Sequence, residues 1–175
     1  MSEALPNIKS IVICGNIGVG KTTLCRRLNT KMSNAHVIYE EFADNRYLPL
    51  YYEHIKKHGN VYNPYALPSQ MFFLNCKPMR KQIMTKLDKT SENDLCFVFD
   101  RGVLEDRYIF VQYQADKGLM SQEELAIYDE EFAKVYKEVF EMPDVVIYLK
   151  ADVKVMQERV NNRNRDMESD LPEND

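Results

Sequence analysis

Ile8-Lys9-Ser10-Ile11-Val12-Ile13-Cys14-Gly15-Asn16-Ile17-Gly18-Val19-Gly20-Lys21-Thr22-Thr23 is the stretch whose reading decides the fold. Its first part, 8–14, is a short apolar run of the kind that forms a buried strand. Its second part, Gly15 to Thr22, matches the pattern GxxxxGK[ST] in full. Glycines there let the backbone curl, so that successive N–H groups point inward at phosphate oxygens. The N-terminus of a following helix adds positive potential. Leu24, Leu28 and Lys31 predict that helix over 21–31. In this reading Gly15, Asn16, Ile17, Gly18, Val19, Gly20, Lys21, Thr22 and Thr23 hold the phosphates of ATP. Lys21 bridges the β- and γ-phosphates, and the Thr22 hydroxyl binds Mg²⁺.

Outward from this loop, strand-like and helix-like segments alternate. Strands are expected at 36–39 (HVIY), 95–99 (LCFVF) and 144–149 (DVVIYL), each a short apolar run. Helices are expected at 48–58, 65–87, 104–117, 121–140 and 153–160. Pro68 and Pro78 should end, restart or bend the second of these. Ser121 with Glu124 has the spacing of a capping box. Such alternation predicts an α/β fold, a P-loop type parallel sheet flanked by helices on both faces. Ligands of these sheets bind at the carboxyl ends of the strands, where Gly15, Glu40 and Asp100-Arg101 fall.

The 175 residues fit one domain, 1–175, and the 45% apolar and 29% charged residues suit an ordinary globular chain. A net charge of -4 disfavours a nucleic-acid partner, although local charges can still hold small anions. No run approaches the roughly 20 apolar residues of a membrane span, and 1–6 has no secretory pattern. Cys14, Cys25, Cys76 and Cys96 show no CxxC spacing and read as reduced thiols. The expected location is the cytoplasm, with no membrane partner.

Three further groups carry chemistry. Glu40, at the end of the second strand, is placed to accept a proton from an attacking hydroxyl; position alone leaves a solvated carboxylate beside Glu41 equally open. Asp100 ends the third strand, where an acid binds Mg²⁺ through water, and Arg101 offers a fork of donors to a transferring phosphoryl group. A surface salt bridge is the plain alternative for that pair. Arg163 and Arg165 open a polar tail and can close over nucleotide phosphates as a lid, or simply fray. Thr85-Lys86-Leu87-Asp88 loosely has the form of a guanine-reading motif, but it closes a helix where that motif follows a strand.

With these residues in hand, the chain resembles the deoxynucleoside kinase family, in its deoxycytidine/deoxyguanosine/deoxyadenosine kinase branch. The resemblance runs from about Ile8 to Leu171 and rests on motifs in shared order. They are GNIGVGKTT, Tyr39-Glu40, Leu48-Pro49-Leu50-Tyr51-Tyr52, Gln70 with Phe73-Leu74-Asn75, Asp100-Arg101 with Glu105-Asp106, and Arg163-x-Arg165-x-x-Glu168. The resemblance implies that Glu40 is the general base for the deoxyribose 5′-hydroxyl and that Arg101 contacts that hydroxyl and the phosphoryl group. Lys21, Glu40 and Arg101 are then the catalytic residues, and Thr22 and Asp100 the metal site. Tyr52 and Glu168 would hold the 3′-hydroxyl, while Gln70 and Asp106 would read the base. Arg163 and Arg165 would be lid arginines, within 163–170.

Asp106 suggests a purine deoxynucleoside or deoxycytidine over thymidine. The sequence departs from the family pattern in places. Lys77 stands where an arginine usually partners the aspartate, and is the expected substrate-side cation in its stead. Gly102 replaces a serine after Asp100-Arg101, and 54–64 is longer than in bacterial members. The family pattern continues beyond the lid through a helix, a strand and an adenine-gripping loop, which a domain ending at Asp175 is expected to lack. The resulting expectation is ATP- and Mg²⁺-dependent phosphorylation of a deoxynucleoside, by a homodimer as the family implies. A thymidylate-kinase-like monophosphate kinase and a non-catalytic truncated relative are the alternatives.

Overall fold

Buried and half-buried residues alternate along β1, Ser10–Gly15, because this strand lies inside the sheet and packs on both faces. The computed structural model describes residues 8–40, 42–91 and 94–162. In it β1 pairs in parallel with β3 (Cys96–Asp100) on one side and β4 (Val145–Leu149) on the other; β2 (Ala35–Ile38) pairs with β3. The order is β2-β3-β1-β4. All pairings are parallel, as the alternation of apolar runs and helices predicts, and the strands therefore end at one rim.

Helix α1 (Lys21–Lys31) lies across one face of this sheet. Its Cys25, fully buried, joins Ile11, Ile13 and Val98 in a cluster that Leu24, Leu28 and Ile147 extend. On the other face the turn after β3 closes over β1, with Gly102 against the Val12 side chain. A second, larger core is built by helices alone: α2 (Tyr47–His58), α3 (Ala66–Thr90), a π-helical turn (Asp106–Val111) and α6 (Gln122–Val139). Tyr51, Leu74, Val111, Leu119, Tyr128 and Phe132 meet there. Each such side chain contributes on the order of 1.5–3 kcal/mol through its removal from water. Ser121 caps α6 as its spacing with Glu124 predicts: the Glu124 N–H donates to Ser121 Oγ, and the Ser121 N–H to the Glu124 carboxylate.

Two elements depart from the pattern read in the sequence. Helix α3 carries Pro78 without interruption over its 25 residues. Pro68 falls in its first turn, where backbone N–H groups have no helical partner to lose. At Pro78 the packing of α3 along α6 holds the helix together across the missing hydrogen bond. The single helix expected at 104–117 is instead α4 (Val103–Glu105), the π turn, and α5 (Gln112–Asp116). Last comes α7 (Val153–Asn161), seated against the glycine loop. At the β4 edge, Val146 and Tyr148 are exposed.

Candidate functional site

The glycine loop turns where β1 ends. Gly18 has φ +79°, and a Cβ on it would come within 2.6 Å of the Met156 carbonyl oxygen in α7, so only glycine fits both the turn and the approach. Helix α1 then begins at Lys21 with no side-chain cap, which leaves its first N–H groups facing outward from the loop. Lys21 Nζ donates to the Gly15 and Asn16 carbonyls at 2.6 and 3.0 Å. Burial, and then the nearby Arg101, pull its ammonium down to about 8, against the opposing pull of Glu105, Asp100 and Glu40. The Thr22 hydroxyl donates to Asp100 Oδ2 at 2.6 Å. Arg159 of α7 donates to the Val19 carbonyl at 2.9 Å, tying helix and loop together.

Beside this loop lies a cavity of about 860 Å³, within the range of small-molecule sites. Glu40 and Arg101 are part of its wall. Their charged ends are 3.3 Å apart and nearly sealed from solvent. Arg101 lies over the Phe110 ring at 4.1 Å, and its φ of 78° is the one left-handed conformation at a non-glycine position among the described residues. Such strain persists at functional positions. Burial works to lower its guanidinium, but the carboxylates of Glu40, Asp106, Glu105 and Asp100 outweigh it and hold the group above its ordinary value. Glu40 Oε1 and Arg101 Nε are both buried without a hydrogen-bond partner. The pair thus holds one unsatisfied acceptor and one unsatisfied donor.

The far wall comes from three helices. Tyr52 on α2 and Gln70 on α3 line it, as does Asp106 on the π turn. A π turn advances its residues more slowly around the axis than an α turn. Glu105/Asp106, Ile109/Phe110 and Tyr113/Gln114 therefore all face the cavity, spaced by four. Asp106 is buried against Lys77, Nζ to Oδ2 at 2.7 Å. Burial pushes its carboxyl up, and Lys77 works against that rise.

The structure thus gathers most of the residues singled out in the sequence. Gly15, Asn16, Ile17, Gly18, Lys21, Thr22, Glu40, Tyr52, Gln70, Asp100, Arg101 and Asp106 all line the one cavity. Val19, Gly20 and Thr23 belong to the loop and the start of α1 but are not on its wall; Lys77 stands behind Asp106 and reaches the cavity through it. Arg163, Arg165, Glu168 and the 163–170 lid lie outside the described residues. Sequence reading missed Phe110, Arg159 and the clamp made by Glu105. Arg159 had a signal, one helical turn before Arg163, and so had Phe110, four residues after Asp106 on one face of the expected helix.

Thr22 and Asp100 fit Mg²⁺ by their chemistry. They are hard oxygen donors, one hydroxyl and one carboxylate, already in contact. Among the described residues no group of three or more His, Cys, Asp or Glu side chains forms a metal cage.

The sequence profile of the family described as "Deoxynucleoside kinase" matches residues 11–174. The chain is 31% identical over 165 residues to the deoxyadenosine/deoxycytidine kinase of Bacillus subtilis, covering 94% of this chain and 70% of that protein. It is 33% identical over 162 residues to the deoxyguanosine kinase of Lactobacillus johnsonii, covering 90% and 65%. Among solved structures, a deoxyadenosine kinase from M. mycoides with the products dCMP and a flexible dCDP bound superposes with a TM-score of 0.73 at 27% identity, covering 94% of this chain and 76% of that one. The same enzyme with dATP bound gives a TM-score of 0.71.

Proposed function

Because this chain belongs to the deoxynucleoside kinase family, we propose that it transfers the γ-phosphate of ATP to the 5′-hydroxyl of a deoxynucleoside. One observation carries this reading: Glu40 Oε1 and Arg101 Nε, sealed from solvent and lacking partners, adjoin the phosphate loop. A hydroxyl satisfies both at once, donating its proton to the carboxylate and accepting from the guanidinium. As that proton passes to Glu40, the freed oxygen forms its bond to the γ-phosphorus and the bond to ADP breaks. Lys21 and Arg101 stabilise the charge on the transferring oxygens. Thr22 and Asp100 would hold Mg²⁺, which would supply positive charge against the phosphates.

Tyr52 and Glu168 hold the sugar, Gln70 and Asp106 read the base, and Lys77 keeps Asp106 charged. The carboxylate and amide favour a base with an amino group beside a ring nitrogen, hence a purine deoxynucleoside or deoxycytidine. The names of the relatives, all deoxyadenosine, deoxyguanosine or deoxycytidine kinases, support this over a thymidylate-kinase-like activity. Arg163 and Arg165 close over the phosphates. The reading extends to a homodimer in the cytoplasm, working in nucleotide salvage for DNA precursors. Exposed Tyr108 on the π turn offers such a dimer apolar surface, and four thiols without a disulfide suit a reducing compartment. No described helix is long and apolar enough to cross a membrane.

The decisive experiment is labelled-phosphate transfer from ATP to the four deoxynucleosides and to dTMP, with wild type and Glu40→Gln. Wild type should phosphorylate a deoxynucleoside and leave dTMP untouched. Glu40→Gln should lose ~10²–10⁴-fold in kcat while retaining deoxynucleoside binding in calorimetry. Unchanged turnover in the variant removes Glu40 from its role, and a chain that binds neither substrate is a non-catalytic relative.

A further inference from the structure

Glu105 carries the clearest long-range connection in the site that the reaction itself does not use. Its two carboxylate oxygens accept from two different strand ends: Oε1 from the Gly15 N–H at 3.1 Å, Oε2 from the Gly102 N–H at 3.2 Å. The second bond is local, the return half of a helix cap. The first spans ninety residues and has a specific cause. β1 and β3 form a regular parallel ladder whose last rung is Arg101 N–H to the Ile13 carbonyl at 3.1 Å. In a parallel ladder the next rung would take the Gly15 N–H to the Arg101 carbonyl. Arg101 leaves the strand conformation at that point, with φ 78°, and its carbonyl turns away. The Glu105 carboxylate takes the place of the missing rung.

The geometry points to Glu105 as a positioning residue that couples the two halves of the site, fixing the mouth of the phosphate loop and the strained Arg101 backbone to each other. It acts on the loop because Gly15, whose N–H it holds, also supplies the carbonyl to which Lys21 donates. It acts on Arg101 because Gly102, the next residue, is pinned by the other oxygen. The same negative charge faces Lys21. So do Asp100 from β3, Glu40 after β2 and Arg101, with the Cys14 thiol beside Glu105 itself. Burial, and then the Glu105 charge, push that thiol up to about 12, so it stays neutral and adds no competing charge. Of the acids facing Lys21, Glu105 acts against burial more than Asp100 or Glu40. This inference rests on the kinase reading for its catalytic consequence, but its effect on the loop is independent of turnover.

Two variants of the full chain separate its charge from its reach. Glu105→Gln keeps the length, removes the charge and leaves one amide hydrogen opposed by another. It is expected to weaken ATP binding in calorimetry and to lower kcat/KM for ATP by ~10–100-fold. KM for the deoxynucleoside should stay within about twofold. Glu105→Asp keeps the charge but cannot span both amides. It should lower kcat/KM for ATP and likewise leave KM for the deoxynucleoside in place. Circular dichroism checks that both fold; if the glutamine variant does not, the aspartate variant decides alone. ATP affinity and efficiency within twofold of wild type in the folded variants overturn the inference. So do losses shared equally by ATP and deoxynucleoside, which would mark a merely structural cap. If wild type turns over no deoxynucleoside yet the variants lose ATP affinity as stated, the kinase reading fails and the loop clamp stands.

Discussion

The two ends of the cavity are built on opposite plans. The phosphate end is one continuous stretch, Gly15 to Thr22, whose working groups are backbone amides plus Lys21 and Thr22. The opposite end is assembled from side chains on α2, α3 and the π turn, with Tyr52, Gln70 and Asp106 brought together from separate helices. The first depends on backbone conformation and tolerates few substitutions in its glycines. The second depends on packing and on one buried ion pair, so its weak point is charge balance.

The largest break is expected at that ion pair. Lys77→Met leaves Asp106 buried without its cation, a change that typically costs ~3–5 kcal/mol of stability. Chemical denaturation should show the loss, and the double variant Lys77→Met/Asp106→Leu should recover much of it. A Lys77→Met protein as stable as wild type would mean that Asp106 is held by other partners. Gly18→Ala attacks the other end. It forces alanine into a left-handed conformation and against the Met156 carbonyl, with strain of ~1–3 kcal/mol. Efficiency with ATP should fall ~5–150-fold while KM for the deoxynucleoside holds. Equal losses for both substrates would show that the two ends are not separable.

The smallest effect is the most diagnostic. In the proposed site charged Lys21 is the form that would hold phosphate, and burial brings its ionisation down to about 8. Efficiency with ATP is therefore high below that pH and falls as pH rises through it. Asp106 is shifted in the opposite sense, upward, so the base-reading end loses its charge as pH falls. A profile of kcat/KM should show the alkaline limb for ATP and the acid limb for the deoxynucleoside. A flat ATP profile up to pH ~10 would return Lys21 to an ordinary lysine.

The same contrast decides what could be read before the structure was known. The phosphate end was legible because its residues are contiguous and each glycine, Lys21 and Thr22 answers a local geometric demand. Parallel pairing was legible in the same way, from four short apolar runs separated by helices, whereas the order β2-β3-β1-β4 came only with the structure. Glu40, Asp100 and Arg101 were found because strand ends gather ligands in such sheets. Phe110, Tyr113 and Gln114 follow Asp106 at i+4, i+7 and i+8, which a 3.6-residue period already keeps on one face, but nothing in 104–117 announces the π turn that carries Phe110. Pro78, expected to end, restart or bend the helix, neither ends nor restarts it. Its local cost is real, yet the packing of α3 on α6 is a tertiary term that no local rule contains. The clamp at Glu105 required knowing that Arg101 abandons the ladder, which only the backbone reveals.

The π turn has an evolutionary consequence as well. A helix of this kind holds one residue more than its regular counterpart. Removing a single residue between Asp106 and Val111 would return it to α geometry and leave the helix after it facing as it does now, because the wide turn already absorbs the extra residue. Tyr113 and Gln114 would stay on the chamber wall, and only the side chains within the turn would change places. In this scaffold the lining opposite the phosphates can thus be altered locally by a three-nucleotide deletion or insertion, a change of length and not of residue identity.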